Sequence, residues 1–180
     1  MALNWLEQLV ADLYRLRDYL VHTNVDLLLR RGEQRAVGGH SDIDVLAANG
    51  QEVLHFECQT WWVAGPSEEK REFGRLIDRF EQGEEHLRKL WPFLFPDKDK
   101  TPYRRVFVVG GRPDKPTGKG PYDRLDAFAK QHGIEVRNLE DLVSEYLDEL
   151  DRAFPSADKV GKEVGQAGLL LYLRKYGWLK

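Results

Sequence analysis

The chain has 180 residues, enough for one domain with a buried core, and its 42% hydrophobic and 32% charged residues are typical of a globular protein. The net charge of −3 argues against a protein that coats nucleic acid, although an enzyme with a local basic patch remains compatible with it. The single cysteine, Cys58, excludes an internal disulfide and a cysteine-based zinc site. No apolar run reaches the length of a membrane span, and residues 1–7 lack the features of a signal peptide, so we expect a cytoplasmic protein.

The predicted elements alternate between helices and strands. Leucines at helical spacing predict a first helix that runs to Leu20, and the apolar residues from 25 to 30 predict a strand. Two more strands, 41–47 and 53–59, flank Asn49-Gly50, a dipeptide that favours a two-residue hairpin turn.

The second half of the chain continues the alternation. Its predicted elements are a long helix capped by Ser67 and ending at Trp91, a buried strand at 106–109, a helix ending near 133, a strand at 134–136, a helix capped by Asn138, and a last helix at about 158–176. The order α-β-β-β-α-β-α-β-α-α predicts an α/β fold, in which helices flank a mixed sheet and residues 1–180 form one domain.

The predicted hairpin has one apolar face and one polar face, because side chains alternate along a strand. The polar face carries Asp42, Asp44, His55, Glu57 and Gln59. In the two-residue register Asp42 lies opposite Glu57, and Asp44 lies opposite His55. This face is either a solvated sheet surface or, since like charges across a hairpin destabilise it, a site for a divalent cation that takes oxygen ligands.

The segment from Ser41 to Gln59 resembles the core motif of the PD-(D/E)XK nuclease superfamily, most closely the branches similar to Holliday-junction resolvases and Mrr-like restriction endonucleases. Asp44 matches the motif aspartate, and Glu57, thirteen residues later, matches the second acid. Gln59 stands where the family usually has lysine. Glu7, on the first helix, matches an additional acidic residue of the family.

The resemblance implies a restriction endonuclease-like fold and a metal-dependent DNA endonuclease. Mg²⁺, or Mn²⁺ as a substitute, would be held by Asp44, Glu57 and the backbone carbonyl of Cys58, with Glu7 completing the acidic pocket. Gln59 would orient the attacking water. The residues expected to support these groups are Asp42, His55 and Lys70, and Lys70 and Arg71 are the nearest cations that might replace the missing lysine.

DNA contacts and oligomeric state are further expectations. The candidate phosphate contacts are Arg30, Arg31, Arg35, Arg112, Lys115 and Lys119. The apolar run 168–173 in the last helix packs on its own domain or forms an oligomer contact, and cutting both strands of a duplex suits a homodimer.

Gln59 leaves other functions open. A glutamine amide orients water by hydrogen bonding, but it carries no charge and is not a base. The chain is therefore either an active endonuclease or an inactive nuclease-like module for nucleic-acid binding or assembly. A metal-dependent hydrolase of another substrate is also compatible with the acidic net charge.

Overall fold

A computed structural model of the chain describes residues 5–26, 42–60, 66–97, 100–110 and 120–153. Its elements in chain order are α1 (Trp5–Leu16), β1 (Leu20–Asp26), β2 (Asp42–Ala48), β3 (Val53–Gln59), α2 (Pro66–Leu90), a 3₁₀ turn (Pro92–Leu94), β4 (Tyr103–Val109), α3 (Pro121–Gln131), β5 (Ile134–Asn138) and α4 (Leu139–Ala153). This order confirms the predicted α/β fold through α4. The predicted helix at 158–176 lies outside the described residues.

The five strands form one mixed sheet in the order β1-β2-β3-β4-β5. The first three strands pair antiparallel, and β3, β4 and β5 pair parallel through crossovers that contain α2 and α3. The ends of β3, β4 and β5 and the start of β2 therefore meet at one edge of the sheet, which we call the carboxyl edge. In open α/β sheets, ligands bind preferentially at this edge.

Helices cover both faces of the sheet. The apolar stripe of α1, with Leu6, Val10 and Leu13 fully buried, packs with α4 against one face. On the other face, α2 and α3 supply Leu87, Phe80 and Leu125 to two smaller apolar clusters. No described helix is long and apolar enough to cross a membrane.

The first helix is shorter than its leucine spacing predicts. Asp18 has a φ of 62°, and the Tyr19 N–H donates to the Tyr14 carbonyl at 3.0 Å, which is the left-handed ending of a helix. The chain then reverses, so Leu20 begins β1 instead of extending α1. The prediction that β1 begins at residue 25 was therefore wrong, and residues 27–30 lie outside the described part of the chain.

The hairpin loop is also longer than the two residues predicted. Ala48 pairs with Val53 and Val45 with Phe56, so the loop contains residues 49–52. The Asn49 side-chain oxygen accepts hydrogen bonds from the N–H groups of Gln51 and Glu52, at 2.9 and 3.1 Å. The register differs from the predicted one by two residues, so partners across the hairpin change while Val45, Leu54 and Phe56 share one face as predicted. Ile43 was predicted on that face, but it packs in the cluster of Leu46 and Val53.

The other helix ends follow local chemistry. As predicted, the Asn138 side chain caps α4 by accepting a hydrogen bond from the Asp141 N–H at 2.9 Å. Trp91 lies just beyond α2, because the residue before Pro92 is excluded from helical geometry. The predicted cap of α2, Ser67, has a side chain outside the described set.

Candidate active site

Asp44 and Glu57 face each other at the carboxyl edge. The pairing of β2 with β3 is observed as far as Val45 opposite Phe56, and continuing that register by one residue places Asp44 opposite Glu57. The predicted partner of Glu57 was Asp42, but the two-residue shift moves Asp42 away from it and beside Asp26 of β1. Glu57 lies on the sheet face that α2 covers, and its side chain is only 1% exposed.

Glu57 has a partner for each carboxylate oxygen. Its Oε1 lies 2.8 Å from Nε2 of His55, and its Oε2 accepts a hydrogen bond from Nη1 of Arg79 at 2.6 Å. His55 was predicted to face Asp44, but it pairs with Leu46 and its ring reaches Glu57 along the same strand. The polar face of the hairpin is therefore not a solvated surface, because a buried carboxylate there is paired from two sides.

His55 links Glu57 to Tyr103 on β4. The Nδ1 atom of His55 lies 2.5 Å from the Tyr103 hydroxyl, and the ring is fully buried against Phe80. With Nε2 protonated and donating to Glu57, Nδ1 accepts the hydrogen bond of Tyr103. The result is a buried chain of contacts from Tyr103 through His55 and Glu57 to Arg79, which holds the Glu57 carboxylate in one orientation.

Asp44 is the most perturbed acid of the site. Burial, followed by the charges of Glu57 and Glu7, raises the pKa of Asp44 to about 7. The Cys58 N–H, which donates to Oδ2 of Asp44 at 2.6 Å, and the more distant Arg79 lower it. Glu7 on α1 is therefore near enough for its charge to act on Asp44, and its part in a metal site stays a prediction.

The donor types suit a hard divalent cation, but the described side chains form no ready group of three ligands that could hold a metal ion. His55 and Arg79 already take both oxygens of Glu57. Burial and then the charge of Glu57 raise the pKa of Asp44, so a cation beside it would favour its ionised form. The residues therefore fit a divalent cation by charge and by oxygen chemistry, provided that Arg79 leaves Glu57.

Other predicted site residues lie around this cluster. Gln59, at the end of β3, is exposed, and its carbonyl accepts a hydrogen bond from the Gly110 N–H at 2.9 Å. Lys70 lines a shallow pocket with Phe73 and Phe128, between α2 and α3, and does not contact Glu57. Arg71 pairs with Glu72 on the surface of α2. The predicted phosphate contacts Arg30, Arg31, Arg35, Arg112, Lys115 and Lys119 lie outside the described residues.

Two residues of the site were not predicted. Arg79 lies three residues after Leu76 and four before Gly83, and both of these neighbours are buried toward the sheet. Helical spacing alone would therefore have placed Arg79 on the inner face of α2. Tyr103 gives no such signal, because it precedes the apolar run that predicts β4 and only the parallel pairing with β3 brings it to His55.

The comparisons with known proteins leave the family open. No protein-family model and no curated protein matches the chain. A crystal structure of a protein of unknown function, AF1548, is similar to it with a TM-score of 0.40 and 17% sequence identity, over 96% of this chain and 97% of that one.

Proposed function

We propose that this chain is a metal-dependent DNA endonuclease of the PD-(D/E)XK type. The observation that carries the proposal is the pairing of Asp44 and Glu57 across adjacent strands at the carboxyl edge, with Glu7 close enough to raise the pKa of Asp44. Paired acids whose pKa values are perturbed by burial and by each other are typical of catalytic sites. The resemblance of the segment from Ser41 to Gln59 to the nuclease motif rests on these same two strands.

The side chains divide the chemistry between them. A bound divalent cation would supply Lewis-acid polarisation of the phosphate and acidification of water. Asp44, Glu57 and the Cys58 carbonyl would hold it, with Glu7 completing the acidic pocket. The Gln59 amide orients the attacking water, whose oxygen bonds to phosphorus as the bond to the leaving oxygen breaks. The leaving oxygen takes up a proton, which yields one phosphomonoester end and one hydroxyl end.

DNA as the substrate is supported by charge at the same edge. The segment that joins β1 to β2 leaves after Asp26 and returns at Asp42, and the segment that follows β4 begins after Gly110. By sequence, residues 27–41 contain three arginines and one glutamate, and residues 111–119 contain three cations and one aspartate. Both segments therefore carry a net positive charge by sequence, and the described strand ends that flank them lie at the edge that carries the acids, which suits a polyanionic substrate.

An inactive nuclease-like module is the second candidate, and two observations favour it. Glu57 is fully paired with His55 and Arg79 without a metal, and Gln59 replaces the usual lysine. In such a protein the ion pair would be a permanent structural element, and the basic connections would bind nucleic acid without cleaving it.

Cleavage of supercoiled plasmid in the presence of Mg²⁺ or Mn²⁺ tests the proposal. We expect the wild type to nick and linearise the plasmid, and we expect Asp44→Asn and Glu57→Gln to lower the rate by at least about a hundredfold. Glu72→Gln, which removes a partly exposed carboxylate of α2, is the matched control and should cleave like the wild type. A wild type that binds DNA but neither cleaves it nor binds either metal would support the inactive module instead.

A further inference from the structure

We infer that Arg79 is an exchangeable cation: it neutralises Glu57 in the metal-free protein and contacts the substrate phosphate once a divalent cation has taken its place. This inference rests on the proposed nuclease function and deepens it. It assigns to a helix residue the positive charge that Gln59 does not provide.

The contacts of Glu57 show which of its oxygens is available for exchange. Oε1 is held by His55, whose ring is enclosed by Phe80, Gly83 and Tyr103. Oε2 accepts a hydrogen bond from Arg79 at 2.6 Å. A cation that binds Glu57 must therefore compete with Arg79 and not with His55.

Because Glu57 is buried, Arg79 can leave it only when a divalent cation takes its place. Glu57 is almost completely buried, and an ionised carboxylate in that position is strongly destabilising without a positive partner. Burial lowers the pKa of Arg79, but the charges of Glu57, Asp44 and Asp42 raise it by more. The acids therefore hold Arg79 in the pocket until a second cation balances them.

The shape of Arg79 allows it to serve both positions. Its side chain is 40% exposed while that of Glu57 is 1% exposed, so the guanidinium bridges from the surface to the buried acid. Arginine has a long flexible chain and a planar set of donors that binds a phosphate through two hydrogen bonds. Rotation about its side-chain bonds would move these donors from Glu57 to a phosphate at the protein surface beside it.

The neighbouring arginines on this face have other partners. Arg75, one turn earlier on α2, pairs with Glu72, and Arg105 on β4 pairs with Glu84. Within the described ranges, Arg79 is the cation whose charge acts on both Asp44 and Glu57. It is thus the residue of this face that can take over the charge of the missing lysine.

The test measures metal affinity and cleavage separately in wild type, Arg79→Met, Arg79→Lys and Arg75→Met. Titration calorimetry with Mn²⁺ and Mg²⁺ gives the affinity, and plasmid cleavage gives the rate at saturating metal. We expect Arg79→Met to bind the metal about ten- to a hundredfold more tightly, because its competitor is gone, and to cleave about a hundredfold more slowly. Arg79→Lys should bind metal like the wild type and recover part of the cleavage rate, and Arg75→Met should change neither quantity.

Each outcome decides the inference. Weaker metal binding by Arg79→Met, or cleavage by Arg79→Met at the wild-type rate, would overturn it while leaving a cleaving wild type as a nuclease. Equal behaviour of Arg79→Lys and Arg79→Met would also overturn it, because the effect would then not depend on charge. A wild type that neither binds metal nor cleaves would refute the proposed function, and the inference with it. Circular dichroism of each variant separates these outcomes from a failure to fold.

Discussion

Gly83 of α2 lies directly against the imidazole of His55. A Cβ built on Gly83 would be 2.7 Å from Cε1 and 2.8 Å from Nδ1 of that ring, closer than real Cβ atoms approach. The ring has no room to yield, since Glu57 holds one of its nitrogens and Tyr103 the other. The absence of a side chain at position 83 therefore sets how closely α2 covers the candidate site.

Gly83→Ala should consequently destabilise the protein and disturb the site together. Alanine in place of glycine ordinarily stabilises a helix interior by about 1 kcal/mol, but overpacking a core costs about 1–3 kcal/mol. We expect the free energy of unfolding, measured with urea, to fall by up to about 2 kcal/mol as the difference of these two effects. Metal affinity should fall as well, because a displaced His55 no longer orients Glu57.

Gly74→Ala is the matched control on the same helix. A Cβ at Gly74 has nothing within 4 Å, so only the helix propensity changes. We expect this variant to gain up to about 1 kcal/mol in the free energy of unfolding. Equal gains for the two variants would contradict the packing argument at Gly83.

Tyr103→Phe tests the inner end of the buried chain of contacts. The substitution keeps the ring but removes the hydroxyl that lies 2.5 Å from Nδ1 of His55, and the nitrogen is left buried without that partner. We expect a loss of about 1–3 kcal/mol in the free energy of unfolding. Glu57 should also be held less well, so a lower affinity for Mn²⁺ is expected.

A double-mutant cycle with His55→Ala identifies the source of that loss. If the hydroxyl acts through His55, the two substitutions should couple by about 0.5–3 kcal/mol in the free energy of unfolding. Additive effects of Tyr103→Phe and His55→Ala would show that Tyr103 stabilises the fold by another route.

Much of the fold and of the acidic cluster follows from local sequence patterns. The alternation in β2 and β3 places Asp44 and Glu57 on one face in any register that differs by two residues, so the error in loop length did not separate them. The first turn of α1 places Glu7 near enough for its charge to act on Asp44, because its neighbours Leu6 and Val10 anchor that helix in the core.

The partners of these acids depend on tertiary packing that no local pattern contains. Polar residues at 55 and 57 are typical of a solvated strand face, and α2 covers that face only because Gly83 allows it to approach. The pairing of Glu57 with Arg79 joins residues 22 positions apart, and that of His55 with Tyr103 joins residues 48 positions apart. Each contact depends on how a crossover helix or strand returns to the sheet.

The length of the hairpin loop depends both on local sequence and on tertiary contacts. Asn49-Gly50 suits both a two-residue and a four-residue connection, and the longer one is observed because Glu52 has partners outside the ladder. Tyr19 donates to Glu52 at 2.5 Å, and Arg104 donates to it at 3.1 Å. Tyr19 precedes β1 and Arg104 lies on β4. Their contacts hold Glu52 away from the position it would take in the shorter turn.

Asn49→Ala tests whether the Asn49 side chain maintains this loop. Its oxygen accepts two backbone hydrogen bonds, from Gln51 and Glu52, and alanine leaves both N–H groups to water. We expect the free energy of unfolding to fall by about 0.5–1.5 kcal/mol, as for a lost helix cap. Gln51→Ala, at an exposed position of the same loop, should change it by less than about 0.5 kcal/mol, and an equal loss in both variants would contradict the proposed role of Asn49.

The perturbed carboxyl of Asp44 predicts how stability depends on pH. Because the pKa of Asp44 is raised from 3.8 to about 7 in the folded protein, the folded state binds its proton more tightly than the unfolded state does. The stability that this proton contributes is fully present below pH 3.8 and is lost as the pH rises through about 7, at a limiting slope of about 1.4 kcal/mol per pH unit. Asp44→Asn cannot ionise, so the difference in free energy of unfolding between variant and wild type should grow in favour of the variant between pH 5 and pH 7.5.

A divalent cation reverses the trend in the wild type alone, since it binds the ionised carboxylate, and the stabilisation by Mn²⁺ should therefore be larger at pH 7.5 than at pH 6. Parallel pH profiles for the two proteins, with and without Mn²⁺, would mean that Asp44 ionises at its ordinary pKa and does not bind the metal.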